Sequence, residues 1–211
     1  HSAGALPVDL AGCEADFAAG CSYKYLNSGP GGPAFVYVAP RLADRVRPAL
    51  SGWLGHDAPF AFEPGYRPAP GVARLRVGTP PVLQMAALEA ALDVWEGVEM
   101  ADIRAASLML ADRFIAAVER ACPELTLVTP RDPARRGSQV SFAHPQGYAI
   151  MQALIARGVI GDFRAPDILR FGITPLYIGA PEIDRAAEVL AEVMAGRLWD
   201  RPEYHARAKV T

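Results

Sequence analysis

Apolar positions along this 211-residue chain follow two spacings. A recurrence of three to four marks helices, and short runs or two-residue alternation mark strands. In residues 102–121, Ile103, Leu110, Phe114, Ile115 and Val118 share one face and Pro123 follows, which predicts a long amphipathic helix. Residues 147–157, closed by Gly158, and 182–198, opened by Pro181, predict two more. Leu42, Val46, Leu50 and Trp53 predict a further helix beginning at Pro40. Residues 82–95 predict another, with Thr79 as N-cap and Pro80 as the first helical residue. Strands are expected at 34–38 (AFVYV), 74–77, 125–128, 139–142, 159–163 and 168–173. From residue 101 onward, helices alternate with paired strands, so an α+β domain with helices on one face of a small sheet is expected. Residues 16–25 read as a small, polar lead-in, the basic cluster 131–136 as a solvated turn, and 200–211 as a frayed tail. Residues 58–71 hold four prolines and two glycines, a loop long enough to suggest an active-site role.

Composition narrows the classes. With 51% hydrophobic residues the chain can bury a sizeable core. A net charge of -2 and a pI near 6.1 give no electrostatic case for nucleic acid or an anionic membrane surface. No apolar run approaches the roughly 20 residues that span a bilayer, and residues 1–10 lack the features of a signal peptide. Cys13, Cys21 and Cys122 are too few and too poorly spaced for a disulfide framework or a metal site. They suit a reducing compartment, so a soluble cytoplasmic protein is expected.

The chemistry centres on Cys21-Ser22-Tyr23-Lys24-Tyr25-Leu26-Asn27-Ser28-Gly29. Of 21 basic residues, only Lys24 and Lys209 are lysines. Arginine stays protonated, whereas an amine can lose its proton when partly buried and attack a carbonyl. Lys24 is flanked by Tyr23 and Tyr25 and followed by small turn-formers through Pro33, which let backbone approach a bulky ligand closely. It is either a surface lysine before a glycine-rich loop or a Schiff-base lysine. Elsewhere the same ambiguity holds. Asp9 suits a cap or a catalytic acid, and Trp53 suits core or a ligand contact. Gly78-Thr79 suits an ordinary capped helix or an anion site at a helix N-terminus. Arg170, between Leu169 and Phe171, suits a buried salt bridge with Asp162 or Asp167, or a fork for a carboxylate.

Five segments in order tip these choices: HSAGALPVDL from His1, YKYLNSGPGG around Lys24, GWLGH from Gly52, VGTPP from Val77 and ILRFGITPLY from Ile168. Together they resemble the C-terminal half of the kynureninases, in the fold-type I, class V superfamily of pyridoxal-phosphate enzymes. The resemblance implies an α/β fold. Residues 1–100 would be the C-terminal part of the cofactor-binding large domain, and 101–211 the small α+β domain. It implies pyridoxal 5'-phosphate as cofactor, attached at Lys24. Tyr23, Trp53 and the amides near Gly78 would hold its phosphate, with His1 beside the cofactor and Gly78 and Thr79 facing phosphate or substrate. Tyr23 would also shuttle protons. Arg170 would anchor the α-carboxylate of the substrate, with Arg164 ranked second. The aspartate that the family pairs with the pyridinium nitrogen precedes this His and is not in the chain, which implies a fragment.

The implied reaction is hydrolysis of L-kynurenine, with 3-hydroxy-L-kynurenine as a second substrate, to anthranilate and L-alanine in tryptophan catabolism, by a homodimer. Another class V enzyme, an aminotransferase or a cysteine desulfurase, is the alternative, as is an inactive dimerisation fragment. Against a desulfurase, Cys122 ends a helix and Cys21 precedes the lysine, so neither sits in an obvious mobile loop.

Overall fold

The computed structural model describes residues 1–206, and the chain divides into two compact units, His1–Gly97 and Val98–Thr211.

In the first unit, strand β1 (Phe17–Cys21) pairs antiparallel with β2 (Ala34–Val38), with Phe17 opposite Val38 and Gly20 opposite Phe35. The sequence of β1, FAAGC, has weak strand preference. Its formation depends on the non-local partner, and the Phe35 ring lies over Gly20, where a Cβ would come within 2.1 Å of the ring. The two strands bracket residues 22–33, so the lysine loop is a hairpin connection rather than an open tail.

The helix expected from Pro40 to Trp53 does not form. Only Pro40–Leu42 makes a 3-10 turn, and Leu50 is exposed. Pro48 has no N–H to continue a helical ladder and its ring crowds the preceding turn. The carbonyls of Asp44 and Val46 instead accept from Arg74 Nη1, at 2.6 and 3.2 Å. Residues 74–77 do not form the expected strand either. Gly71–Leu75 is a 3-10 turn, which carries the Arg74 side chain inward. Helix α1 spans Val82–Asp93, with Pro81 rather than Thr79 at its N-cap position. A proline at 81 cannot serve a cap side chain, and Thr79 lies too far upstream to do so. None of the α1 residues is buried, and Val82 and Leu83 are among its exposed apolar side chains.

The second unit is built around helix α2 (Met100–Ala121), whose buried positions Ile103, Ser107, Leu110, Ala111, Phe114, Ile115 and Val118 repeat at helical spacing. A four-stranded antiparallel sheet follows, in the order β3 (Thr126–Leu127), β4 (Gln139–Ala143), β6 (Ile168–Gly172), β5 (Asp162–Arg164). Helices α3 (Gly147–Ile155) and α4 (Ala180–Ala195) supply further core residues, Ile150, Leu154, Leu190 and Val193 among them. Val140, Phe142, Leu169 and Phe171 point from the sheet into this core, where Phe114 packs edge-on against Phe142 and Phe171. The α+β arrangement expected from residue 101 onward is therefore present. β5 begins at Asp162, three residues after the expected start.

Two surface expectations hold only in part, and residues 131–135 are exposed as expected. Arg136 is buried rather than solvated, paired with Asp112, while Arg104 Nη2 donates to the carbonyls of Pro133 and Arg136 at 2.7 Å each. The tail includes a short helix, α5 (Pro202–His205), beside α3, and the Tyr148 hydroxyl donates to the Ala206 carbonyl at 3.1 Å. The rest of the expected frayed tail lies outside the described residues. Among the described residues, no helix is long and apolar enough to cross a membrane and no group of His, Cys, Asp and Glu is placed to hold a metal.

Candidate active site

The lysine loop is closed at its neck by serines. The Ser22 hydroxyl donates to the Pro33 carbonyl at 2.6 Å, and the Ser28 hydroxyl donates to Ser22 Oγ at 2.8 Å. The Ser28 N–H donates to the Ser22 carbonyl at 3.1 Å and the Asn27 N–H to the Lys24 carbonyl at 2.9 Å. Both serines are buried, so each hydroxyl satisfies a partner that water does not reach. Asn27, Gly29 and Gly31 take left-handed backbone, φ +64°, +75° and +85°, which carries the chain back toward β2 within a few residues.

At the exposed end of this loop stand Lys24 and Tyr23. Lys24 Nζ lies 5.0 Å over the centre of the Tyr23 ring, and the amine has no ion-pair partner among the described residues. A cation or an amine over an aromatic face is held without being neutralised by a carboxylate. Sequence reasoning gave neither Ser22 nor Ser28 a role. Their placement on either side of Lys24, six residues apart, was the available signal.

A second corner is made by Trp53 and Gly78. Trp53 opens a 3-10 turn, Trp53–Gly55, which fits against residues 74–77 because Gly52 and Gly55 lack side chains. A Cβ on Gly52 would fall 1.7 Å from the Val77 carbonyl oxygen. Tyr66 ties the same region, its hydroxyl reaching the carbonyls of Gly55 at 2.9 Å and Arg74 at 3.3 Å. The Trp53 indole is about half exposed and packs edge-on against Phe60, with ring centres 5.7 Å apart. Its Nε1 faces Gly78, where a Cβ would stand 3.9 Å away. Thr79 is exposed beside it and caps nothing. Within the expected long loop, residues 58–71, the Asp57 N–H donates to the Arg67 carbonyl at 2.8 Å across residues 58–66, and Arg67 bridges Asp57 and Glu63.

His1 is exposed at the start of a segment that meets the lysine loop at Gly4, where a Cβ would lie 2.6 Å from the Tyr25 carbonyl oxygen. Asp9 acts as a local cap: its Oδ1 accepts from the Gly12 N–H at 2.7 Å. Trp53 and Gly78 are thus brought together, as are Tyr23 and Lys24. Arg170 belongs to the second unit, on β6, where its Nη2 pairs with Asp162 and its Nε is buried without a partner. Arg164 Nη1 reaches the other oxygen of Asp162 at 3.3 Å. Of the readings weighed for Arg170, the ion pair is made with Asp162, and both side chains are partly exposed.

Cys122 and Cys21 do not have the setting expected of a mobile catalytic cysteine. Burial, reinforced by the charge of Glu124, pushes the Cys122 thiol up to about 11, and Cys21 ends β1.

Comparison with known proteins gives these features a class. Among solved structures, a C-DES variant with glycine covalently linked to its PLP cofactor matches with a TM-score of 0.75 at 25% identity, over 91% of this chain and 50% of that one. The fold is that of the PLP-dependent fold-type I enzymes of class V, represented here by part of the large domain and a C-terminal α+β domain. Residues 103–190 match the family model for the kynureninase C-terminal domain. The whole chain is 53% identical to the kynureninase of Pseudomonas fluorescens and 54% identical to that of Burkholderia mallei (strain SAVP1). It belongs to the kynureninase family, matching the C-terminal half, and spans about half the length of these relatives, 51% in each case.

The residues present fit a phosphorylated aldehyde. Lys24 offers an exposed primary amine without a carboxylate partner among the described residues, and the Trp53 indole N–H faces the space that Gly78 leaves open. An indole N–H is a donor only, so it suits a phosphate oxygen.

Proposed function

We propose that the protein containing this chain is a kynureninase, a soluble cytoplasmic homodimer that hydrolyses L-kynurenine to anthranilate and L-alanine. The observation that carries the proposal is identity above one half along the entire chain, lysine loop included. The exposed apolar side chains of α1 are in keeping with a further protein surface over them.

Lys24 Nζ is the attachment point for pyridoxal 5'-phosphate, with the phosphate taken by the Trp53 indole N–H, the Tyr23 hydroxyl and the amides near Gly78. When bound, the cofactor supplies an electron sink for the carbanion left at the substrate's α-carbon. Where the cofactor does not engage it, the Lys24 amine would take the α-proton as a general base. Lys24 serves this role because it sits on a loop whose neck is fixed by Ser22 and Ser28, so the amine is delivered from one place. Tyr23, beside it, is the donor and acceptor for protons passing to and from the substrate side chain. Addition of water to the side-chain ketone lets the bond between the β- and γ-carbons break. The acyl carbon leaves as the carboxylate of anthranilate, and the β-carbon takes a proton to give alanine. Arg170 takes the α-carboxylate through its planar fork, with His1 and Thr79 bordering cofactor and substrate.

The test uses the complete protein supplied with cofactor. It should be yellow, lose its colour on borohydride treatment with the label recovered on the Lys24 peptide, and release fluorescent anthranilate from kynurenine. Lys24→Arg keeps the charge and should abolish both colour and turnover, because a guanidinium forms no imine. A colourless wild-type protein, or one that is yellow with Lys24 unlabelled, overturns the proposal. Parallel assays with 3-hydroxykynurenine and cysteine assign the substrate.

A further inference from the structure

Arg170 does not stand alone on its sheet face. In the register of β5 and β6, Asp162 lies directly opposite Arg170, and Ser141 lies opposite it on β4. Residues facing one another across antiparallel strands project to the same side. Their neighbours Leu169, Phe171 and Val140 turn the other way, into the core. On the polar side, Gln139 Nε2 donates to Ser141 Oγ at 3.1 Å, and Asp162 meets Arg170 Nη2. Asp162 is the one ion-pair or hydrogen-bond partner of the Arg170 side chain among the described residues.

Two features distinguish this contact from a closed salt bridge. First, it is single-pronged: one oxygen of Asp162 meets one terminal nitrogen of Arg170, while the second oxygen faces Arg164 Nη1 at 3.3 Å. A guanidinium carries five N–H groups, so one such contact leaves most of the fork unused. Second, one carboxylate sits between two guanidinium groups, which leaves a net charge of +1 for the cluster. Arg170 is about a quarter exposed, yet its Nε is shielded from solvent and unpaired. The inner edge of the guanidinium is therefore closed, and access is confined to the rest of the side chain.

We propose that Asp162 is the positioning residue for Arg170: it fixes the guanidinium by one arm so that the free terminal N–H groups and the residual positive charge accept a single carboxylate. This rests on Arg170 as the anchor of the substrate α-carboxylate. Asp162 touches no substrate. Its contribution is to restrict a long, rotamer-rich side chain before substrate arrives. Arg164, sharing the same carboxylate from a more exposed position, supplies the second positive charge.

The experiment compares full-length holoenzyme with Asp162→Ala, Asp162→Asn, Arg164→Ala and Arg170→Ala. It measures inhibition by L-alanine and by L-alaninamide, together with KM and kcat for kynurenine and the thermal midpoint. The acid presents the carboxylate and the amide does not. In Asp162→Ala, binding of L-alanine should weaken by about ten-fold, as expected when one long side chain must be immobilised on binding. KM should follow it, while alaninamide binding, kcat and cofactor colour stay as in wild type. Asp162→Asn keeps an acceptor oxygen and should fall between, which also covers the case in which the alanine variant folds poorly. Arg164→Ala should weaken acid binding less than Asp162→Ala does. Equal weakening of acid and amide would reduce Asp162 to a structural role and overturn the proposal, as would no change in either. If Arg170→Ala leaves the preference for acid over amide intact, the anchor itself is misassigned and the positioning role falls with it. If Arg170→Ala abolishes that preference and the Asp162 variants do not touch it, only the positioning role falls.

Discussion

Ser28 donates its hydroxyl to Ser22 Oγ at 2.8 Å, and with the Ser28 N–H on the Ser22 carbonyl at 3.1 Å this bond joins the two ends of the segment that carries Lys24. Gly32 lies against it: a Cβ there would come 1.9 Å from Ser28 Oγ and 2.9 Å from Ser22 Oγ. Both hydroxyls are buried in a short loop, so neither can swing away without leaving a polar group unpaired. Gly32→Ala should therefore open the neck, at a cost of about 1–3 kcal/mol. The cofactor would be lost faster on dialysis of the full-length protein, followed by the decay of its yellow absorbance. Retention equal to wild type would show that the neck does not position Lys24.

The Arg74 guanidinium is the structural counterpart of the missing helix. It is buried, and donates from Nε to the carbonyls of Ala69 and Gly71, and from Nη1 to those of Asp44 and Val46, with Nη2 on Asp44 Oδ1 at 3.2 Å. Lys in its place keeps the charge but offers one point in place of a fork, stranding several carbonyls. Arg74→Lys should cost roughly 2–3 kcal/mol, the scale of leaving buried acceptors unpaired. Denaturant unfolding followed by tryptophan fluorescence measures it. An unchanged midpoint would mean that the turn from Pro40 holds itself.

That arginine also explains what could be read from the residues and what could not. Helices α2, α3 and α4 and strands β2, β4 and β6 announce themselves because a local periodic pattern and the buried face coincide, as with Phe114 and Val118 on α2. The apolar recurrence Leu42, Val46, Leu50 is equally periodic. It is overridden by Pro48 and by Arg74, 28 and 30 residues from the carbonyls of Val46 and Asp44 that it holds, which no local window contains. β1 is missed for the converse reason: FAAGC has no strand signal of its own and borrows one from Phe35. At the site, Lys24 and Trp53 stand out by scarcity and by their flanking residues. The facing of Trp53 Nε1 and Gly78 depends on how Gly52 meets Val77, a contact between backbones that leaves no mark in side-chain pattern.

Trp53→Phe removes the indole N–H and keeps an aromatic ring against Phe60. If that N–H serves the cofactor phosphate, affinity for pyridoxal 5'-phosphate should fall by about ten-fold or more, the value of a hydrogen bond to a charged group. Titration of the apo full-length protein with cofactor gives the constant. The thermal midpoint of the apo protein should move little, since the ring packs from the exposed side. A fall in apo stability without loss of cofactor affinity would make Trp53 a packing residue.

His144 should make the second unit sensitive to mild acid. Burial lowers its pKa below the ordinary value of 6.5, with Glu124 acting in the opposite direction. Its Nδ1 accepts the Gln146 N–H at 3.0 Å, and its ring packs edge-on against Trp199. Protonation at Nδ1 forfeits the first of these. A base whose folded pKa is depressed contributes its full stability above the unfolded value, and that stability drains as pH falls through the range between the two. Thermal midpoints should drop from pH 8 to pH 5.5. His144→Asn can accept the same N–H without titrating, so its midpoint should fall less across that range. Parallel curves for the two proteins would assign the acid sensitivity elsewhere.

Cysteine reactivity separates the two units. Cys122 is buried at the end of α2 with its thiol pushed up to about 11, whereas Cys13 is exposed in the first unit. Thiolate is the reactive form, so at pH 8 Cys122 presents about a thousandth of its sulfur in that state, and burial excludes the reagent as well. Native protein treated with iodoacetamide should therefore be alkylated first at Cys13. Cys122 should react only when denaturant opens the second unit. Its appearance against urea then reports unfolding of the core that includes Val118 and Leu125, independently of the tryptophans. Modification of Cys122 in the native state at a rate near that of Cys13 would show that the α2 C-terminus opens without global unfolding, and the core around Phe114 would no longer account for the stability of this unit.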